Sequence, residues 1–126
     1  MAGVEGVPTI RTLEEWNAFV EAEKGRPAFL QCGSPVCVRC APFAARIEQL
    51  RAAFHFRWAY VNTHDAEEDL LEELQVAKLP AYRIVRHLDS EKGTEMEEGQ
   101  NSTPEELTKA IQRMCPTALG FGDEDF

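Results

Sequence analysis

Residues 28–40 read AFLQCGSPVCVRC and carry three of the chain's four cysteines, Cys32, Cys37 and Cys40. Ala28 to Cys32 is a short, mostly apolar run that Gly33-Ser34-Pro35 breaks, the pattern of a buried strand followed by a turn. Beyond the turn, Phe43, Ile47, Leu50 and Phe54 recur at helical spacing. The sequence therefore predicts a helix starting near Cys37 or Val38. Pro42 lies early in it, where it either sits in the first turn or bends the helix. Two chemistries suit the sulfurs. Cys37-x-x-Cys40 is the spacing of a redox dithiol. Cys32, Cys37 and Cys40 together also open like a plant-type iron–sulfur site, with Cys115 as the remaining ligand candidate. A zinc site drawing on the same sulfurs and His64 belongs to that second class.

Working outward, Thr12-Leu13-Glu14-Glu15 reads as a capping box ahead of Leu13, Trp16, Phe19 and Val20, so a helix runs to about Glu23 before Gly25-Arg26-Pro27. Phe56 to Asn62 is rich in strand-forming residues. Asp65 is expected to cap a helix through Gln75, with Leu70, Leu71 and Leu74 inward and glutamates outward. A strand from Ala81 to Leu88, a turn at Asp89–Gly93 and a weaker strand near Thr94–Glu98 follow. Thr103-Pro104-Glu105-Glu106 repeats the capping box with proline at the first helical position, and the helix ends at Cys115-Pro116. A further short strand near Val7–Ile10 is possible on the same pattern. Strands joined by helical crossovers and closed by a hairpin imply a mixed sheet with helices on both faces.

At 126 residues the chain is long enough for one domain with a real core. The net charge of −9 argues against a nucleic-acid backbone binder. No apolar run approaches the ~20 residues that span a bilayer. The first residues, MAGVEGVPTIRTLEEW, lack the basic and apolar regions of a signal peptide. A reducing, cytoplasmic setting is therefore expected, in which clustered cysteines mean redox chemistry or metal more often than structural disulfides.

A strand leading to Cys37-x-x-Cys40 at a helix N-terminus, then strand, helix, and Leu79-Pro80 opening the next strand, resembles the thioredoxin family. The resemblance covers roughly Leu13 to Met114. It implies an α/β thioredoxin fold, with a central mixed four- or five-stranded sheet and helices on both faces. The domain would span residues 1–116, and 117–126 would form an acidic tail. It also implies a thiol–disulfide oxidoreductase, a protein-disulfide reductase in which Cys37 attacks and Cys40 resolves. A helix N-terminus supports this chemistry, because unpaired amides and a partial positive charge stabilise a thiolate. By the same resemblance Pro80 would be a cis-proline facing the dithiol. Leu79 would offer backbone groups to an extended substrate segment, with Val38 and Arg39 at the same contact. No bound cofactor is expected, since electrons would arrive from a dithiol donor such as a thioredoxin reductase and pass to protein disulfides. A monomer without nucleic-acid or membrane partners is expected.

Departures from the family pattern lie close to the pair. Val38-Arg39 stands where the family usually has Gly-Pro, and Val36 replaces the tryptophan that commonly precedes the first cysteine. Gln31 occupies the position of a buried aspartate. A carboxylate there helps move the proton of the resolving thiol, and an amide cannot titrate. These differences imply altered potential or narrowed partners. Another reading is a non-catalytic module that binds partners in the groove beside Pro80, using its acidic face and Phe-containing tail. His55, His64 and His87 are scattered without ligand spacing. Cys32 is expected as a buried thiol, the alternative being an accessory redox partner; Cys115, at a helix end beside Pro116, could be exposed enough to link two chains, though nothing in the sequence demands it.

Overall fold

Both capping boxes are built as the sequence marks them. In a computed structural model, which describes residues 7–22, 26–54, 56–87 and 94–114, the Glu15 carboxylate accepts the amides of Arg11 and Thr12, and the Glu15 amide donates to Thr12 Oγ1 at 3.0 Å. Thr103 and Glu106 exchange the same pair of bonds. The elements run α1 (Leu13–Ala22), β1 (Ala28–Gly33), α2 (Cys40–Ala53), β2 (Arg57–Asn62), α3 (Glu68–Leu74), β3 (Ala81–His87), β4 (Thr94–Gln100) and α4 (Pro104–Met114).

The sheet order is β2-β1-β3-β4, with β1 and β2 parallel and the β1–β3 and β3–β4 pairs antiparallel. This is the mixed sheet the sequence implies, four-stranded among the described residues. The possible strand near Val7–Ile10 contributes a single parallel bridge, Thr9 to Tyr60, at the free edge of β2.

Central β1 is buried along its whole length, so its alternation serves two cores. Ala28, Leu30 and Cys32 point to one face, against Trp16 of α1 and Leu70 and Leu74 of α3. Phe29 points to the other, against Phe43, Ile47 and Leu50 of α2 and Leu107, Ile111 and Met114 of α4. Arg46 ties those two helices by donating to Pro104 O at 3.1 Å and Thr108 Oγ1 at 2.7 Å. Edge strand β4 carries Glu95, Glu97 and Glu98, paired with Arg86, Arg113 and Arg83 respectively. Charges on an edge discourage pairing with another chain.

Two local expectations shift. α3 starts at Glu68 with Glu67 in the N-cap position, and Asp65 is not its cap. Asn62 takes over that stretch: its carbonyl accepts the amides of Asp65 and Ala66, and its side-chain oxygen accepts the His64 amide. The second shift concerns the start of α2 and bears on the cysteines. The turn expected at Asp89–Gly93, Cys115, His55 and the 117–126 tail lie outside the described residues.

Candidate functional site

The chain leaves β1 at Gly33 and turns twice before entering α2. Ser34 holds the first turn: its carbonyl accepts the Cys37 amide at 3.2 Å and its hydroxyl accepts the Val36 amide at 3.2 Å. The second turn is closed by the Cys40 amide donating to Cys37 O at 3.2 Å. Cys40 is therefore the first helical residue, and Cys37 precedes the helix instead of opening it. Pro42 falls in the first turn, where its missing N–H leaves no helical bond unmade.

Cys37 and Cys40 form a disulfide across this second turn, with Cα atoms 5.4 Å apart, inside the ordinary range for such a bond. Both residues are partly buried. The bond holds the Cys37 sulfur against the helix N-terminus even though its backbone lies outside the helix. Val36 and Val38, 74% and 86% exposed, flank Cys37 as an apolar pair open to solvent. Arg39 hydrogen-bonds Asn101 Oδ1.

The neighbouring wall comes from the start of β3. Cys32 pairs with Ala81 in the antiparallel register, so one step further places Pro80 level with Gly33. The Leu79–Pro80 peptide is cis, Pro80 is fully buried and Leu79 partly so. Gln100 fastens this segment, since its side-chain oxygen accepts the Ala77 and Lys78 amides and its nitrogen donates to Gln75 O. The Ser102 amide donates to Pro80 O at 3.2 Å. Cys37, Cys40, Val38, Arg39, Leu79 and Pro80 thus share the end of the sheet where β1 and β2 finish, the end at which open α/β sheets present their crevices.

Cys32 does not join them. It lies in the core cluster packed by α1 and α3, 2% exposed, whereas the Cys40 sulfur sits beside Gly33 on the α2 face. Burial pushes the Cys32 thiol up to about 12. The sheet separates the sulfurs that an iron–sulfur or zinc site would need to bring together. Among the described residues no group of three or more His, Cys, Asp and Glu side chains converges on one point.

Residues that the sequence did not single out complete the surroundings. Tyr60 of β2 pairs with Gln31, and its hydroxyl reaches the space above Gly33 that the Cys40 sulfur also borders. The available signal was strand alternation, which puts Tyr60 on the same face as Trp58. Gln100, Asn101 and Ser102 left no signal, because their contacts are with loops distant in sequence.

A sheet of order β2-β1-β3-β4 between two helix pairs, with a Cys-x-x-Cys disulfide where its central strand ends, defines a thioredoxin-fold protein with a thioredoxin-like cysteine pair. Solved thioredoxins are similar throughout. Fasciola hepatica thioredoxin superposes with a TM-score of 0.69 at 16% identity, covering 85% of this chain and 98% of that one. Spinach chloroplast thioredoxin f, in its short form, gives 0.68 at 20% identity, covering 90% and 97%. Saccharomyces cerevisiae mitochondrial thioredoxin 3, in the oxidized form, gives 0.68 at 14% identity, covering 85% and 94%. No protein-family model matches the chain, and no curated protein matches it in sequence. No helix among the described residues is long and apolar enough to cross a membrane.

Proposed function

We propose that the chain is a thiol–disulfide oxidoreductase that exchanges its Cys37–Cys40 dithiol with protein disulfides. The observation that carries this reading is the cysteine pair itself, closed as a disulfide at the sheet end and partly open to solvent. In the reduced protein the Cys37 thiolate attacks one sulfur of a partner disulfide. A Cys37–partner disulfide forms, and the partner's other sulfur leaves as a thiolate. Cys40 then attacks Cys37, the Cys37–Cys40 bond forms, and the partner's second sulfur leaves. Two electrons have passed to the partner, and its thiolates draw protons from water.

The exposed apolar pair Val36 and Val38, with Arg39 and Leu79, would meet the partner, and the buried Pro80 would shape the groove. A dithiol donor, of the kind a thioredoxin reductase supplies, would return the pair to the reduced state. The cytoplasm, where thiols are kept reduced, is the compartment this cycle suits. The test is turnover of a protein disulfide by catalytic amounts of the chain with a chemical reductant. Wild type should accelerate reduction, and Cys37→Ser should return it to the uncatalysed rate. Equal rates for the two proteins, or no acceleration by wild type, would refute the reading.

A further inference from the structure

Cys40, the proposed resolving cysteine, borders with a phenol the gap at Gly33. Strand alternation puts Phe29, Gln31 and Gly33 on the α2 face, and the β1–β2 register sets Tyr60 beside Gln31. Side chains in strands lean along the strand, here toward Gly33. A Cβ at Gly33 would stand 3.2 Å from the Tyr60 hydroxyl oxygen, 3.3 Å from its ring and 3.7 Å from Cys40 Sγ. The side chain that Gly33 lacks is thus the gap that phenol and sulfur both border.

We propose that Tyr60 is a positioning residue for Cys40, its hydroxyl donating a hydrogen bond to the Cys40 thiolate. The inference rests on the dithiol-exchange reading and adds to it the group that makes Cys40 competent to resolve. Gln31, the buried amide beside Tyr60, cannot take a proton or carry a charge. Burial raises the Tyr60 phenol above its ordinary range, so the hydroxyl stays protonated at neutral pH and acts as a donor.

The other titratable and charged groups nearby are few. Tyr82 of β3, paired with Gln31 on its other side, is also held neutral by burial. From α2, Glu48 and Arg51 line a small cavity with Gln31 and pair with each other at 3.2 Å. Arg39, next to Cys40, is engaged by Asn101. Cys32 lies across the sheet as a neutral thiol.

The resolving step then balances as follows. Cys40 gives its proton to water, and its thiolate, held by the Tyr60 hydroxyl, attacks Cys37 in the mixed disulfide. The Cys37–Cys40 bond forms, the Cys37–partner bond breaks, and the partner leaves as a thiolate that takes a proton from water.

The experiment reads Cys40 directly and needs no substrate. In a Cys37→Ser background, the rate of Cys40 alkylation by iodoacetamide is followed against pH, with the site assigned by peptide mass. Hydrogen bonds to charged groups are strong enough that Tyr60→Phe should raise the apparent pKa of Cys40 by about one unit, slowing alkylation at neutral pH about tenfold. Replacing tyrosine by 3-fluorotyrosine, a stronger donor of nearly the same size, should shift the profile the other way. It keeps the test decisive if Tyr60→Phe does not fold. An unchanged profile with 3-fluorotyrosine, or with a folded Tyr60→Phe, overturns the proposal. A shifted profile in a protein that reduces no disulfide would instead sink the reductase reading and leave the role of Tyr60 intact.

Discussion

Cys32 and Cys40 lie at the same end of the same sheet and have opposite surroundings. Cys32 points into the α1–α3 core, 2% exposed and packed in an apolar cluster. Cys40 lies on the α2 side, bordering with the Tyr60 ring and hydroxyl the gap at Gly33, and is bonded to Cys37. The reactivity of a cysteine is set by what stabilises its thiolate. One residue of strand alternation, from Cys32 to Gly33, therefore separates a buried thiol from the gap that the disulfide sulfur of Cys40 borders.

The sharpest way to break that contrast is site-resolved labelling of the reduced, folded protein. With its thiol pushed up to about 12, Cys32 should react about a thousandfold more slowly at pH 8 than an ordinary exposed thiol, from thiolate fraction alone. Burial slows it further. Peptide mapping after alkylation should find Cys37 and Cys40 modified and Cys32 free until denaturant is added. The same shift has a stability consequence. The folded state holds the Cys32 proton more tightly than the unfolded chain, so stability is fully present below the ordinary value of 9.0 and declines as pH rises toward about 12. Cys32→Ala should flatten this alkaline decline, measured by urea unfolding at several pH values.

The next largest effect probes the Cys32 face. Arg83, 7% exposed, pairs with Glu98 at 2.8 Å and Glu73 at 3.4 Å and donates to Glu73 O. Arg83→Met removes these bonds yet keeps the stem packed. It should cost about 2 kcal/mol in chemical unfolding and leave disulfide turnover unchanged. A turnover loss at unchanged stability would couple the two faces and contradict their separation.

On the cysteine-pair face, Val38→Asp should move stability by no more than about 0.5 kcal/mol, as exposed substitutions do. It should still weaken reduction of a protein disulfide about tenfold in kcat/KM, because the apolar contact beside Cys37 becomes charged. Reduction of a small, non-protein disulfide should change far less. The smallest effect lies in α1: Thr12→Ala should cost about 1 kcal/mol. Glu15, exposed and lowered by the Arg11 and Thr12 amides, contributes above the usual carboxylate value of 4.5, a contribution lost as pH falls through its lowered folded value. Acid unfolding of wild type and Glu15→Gln should therefore differ less at low pH than at neutral pH.

Much of this contrast was legible in the chain. The capping boxes, the two-sided burial of β1 and the Cys-x-x-Cys spacing are local patterns, and local chemistry decides them. The start of α2 was not, because Ser34 satisfies the amides of Val36 and Cys37 and holds a turn where the periodicity suggested helix. Nor was the burial of Arg83, since a charged residue in a strand reads as solvent-facing until its partners on α3 and β4 are known. The gap at Gly33 that Tyr60 and Cys40 both border depends on the β1–β2 register, and Gly33 reads in the sequence only as a turn residue. The fold was written in short-range pattern, and the tuning of the site in contacts between elements.

The most direct test of the central claim is a single-turnover reaction of the reduced protein with a protein disulfide, quenched by alkylation and mapped by mass. We expect the product to carry a Cys37–Cys40 disulfide with Cys32 still a free thiol, and Cys40→Ser to retain the partner on Cys37. A product disulfide that includes Cys32, a partner captured on any sulfur other than Cys37, or no exchange at all would contradict it.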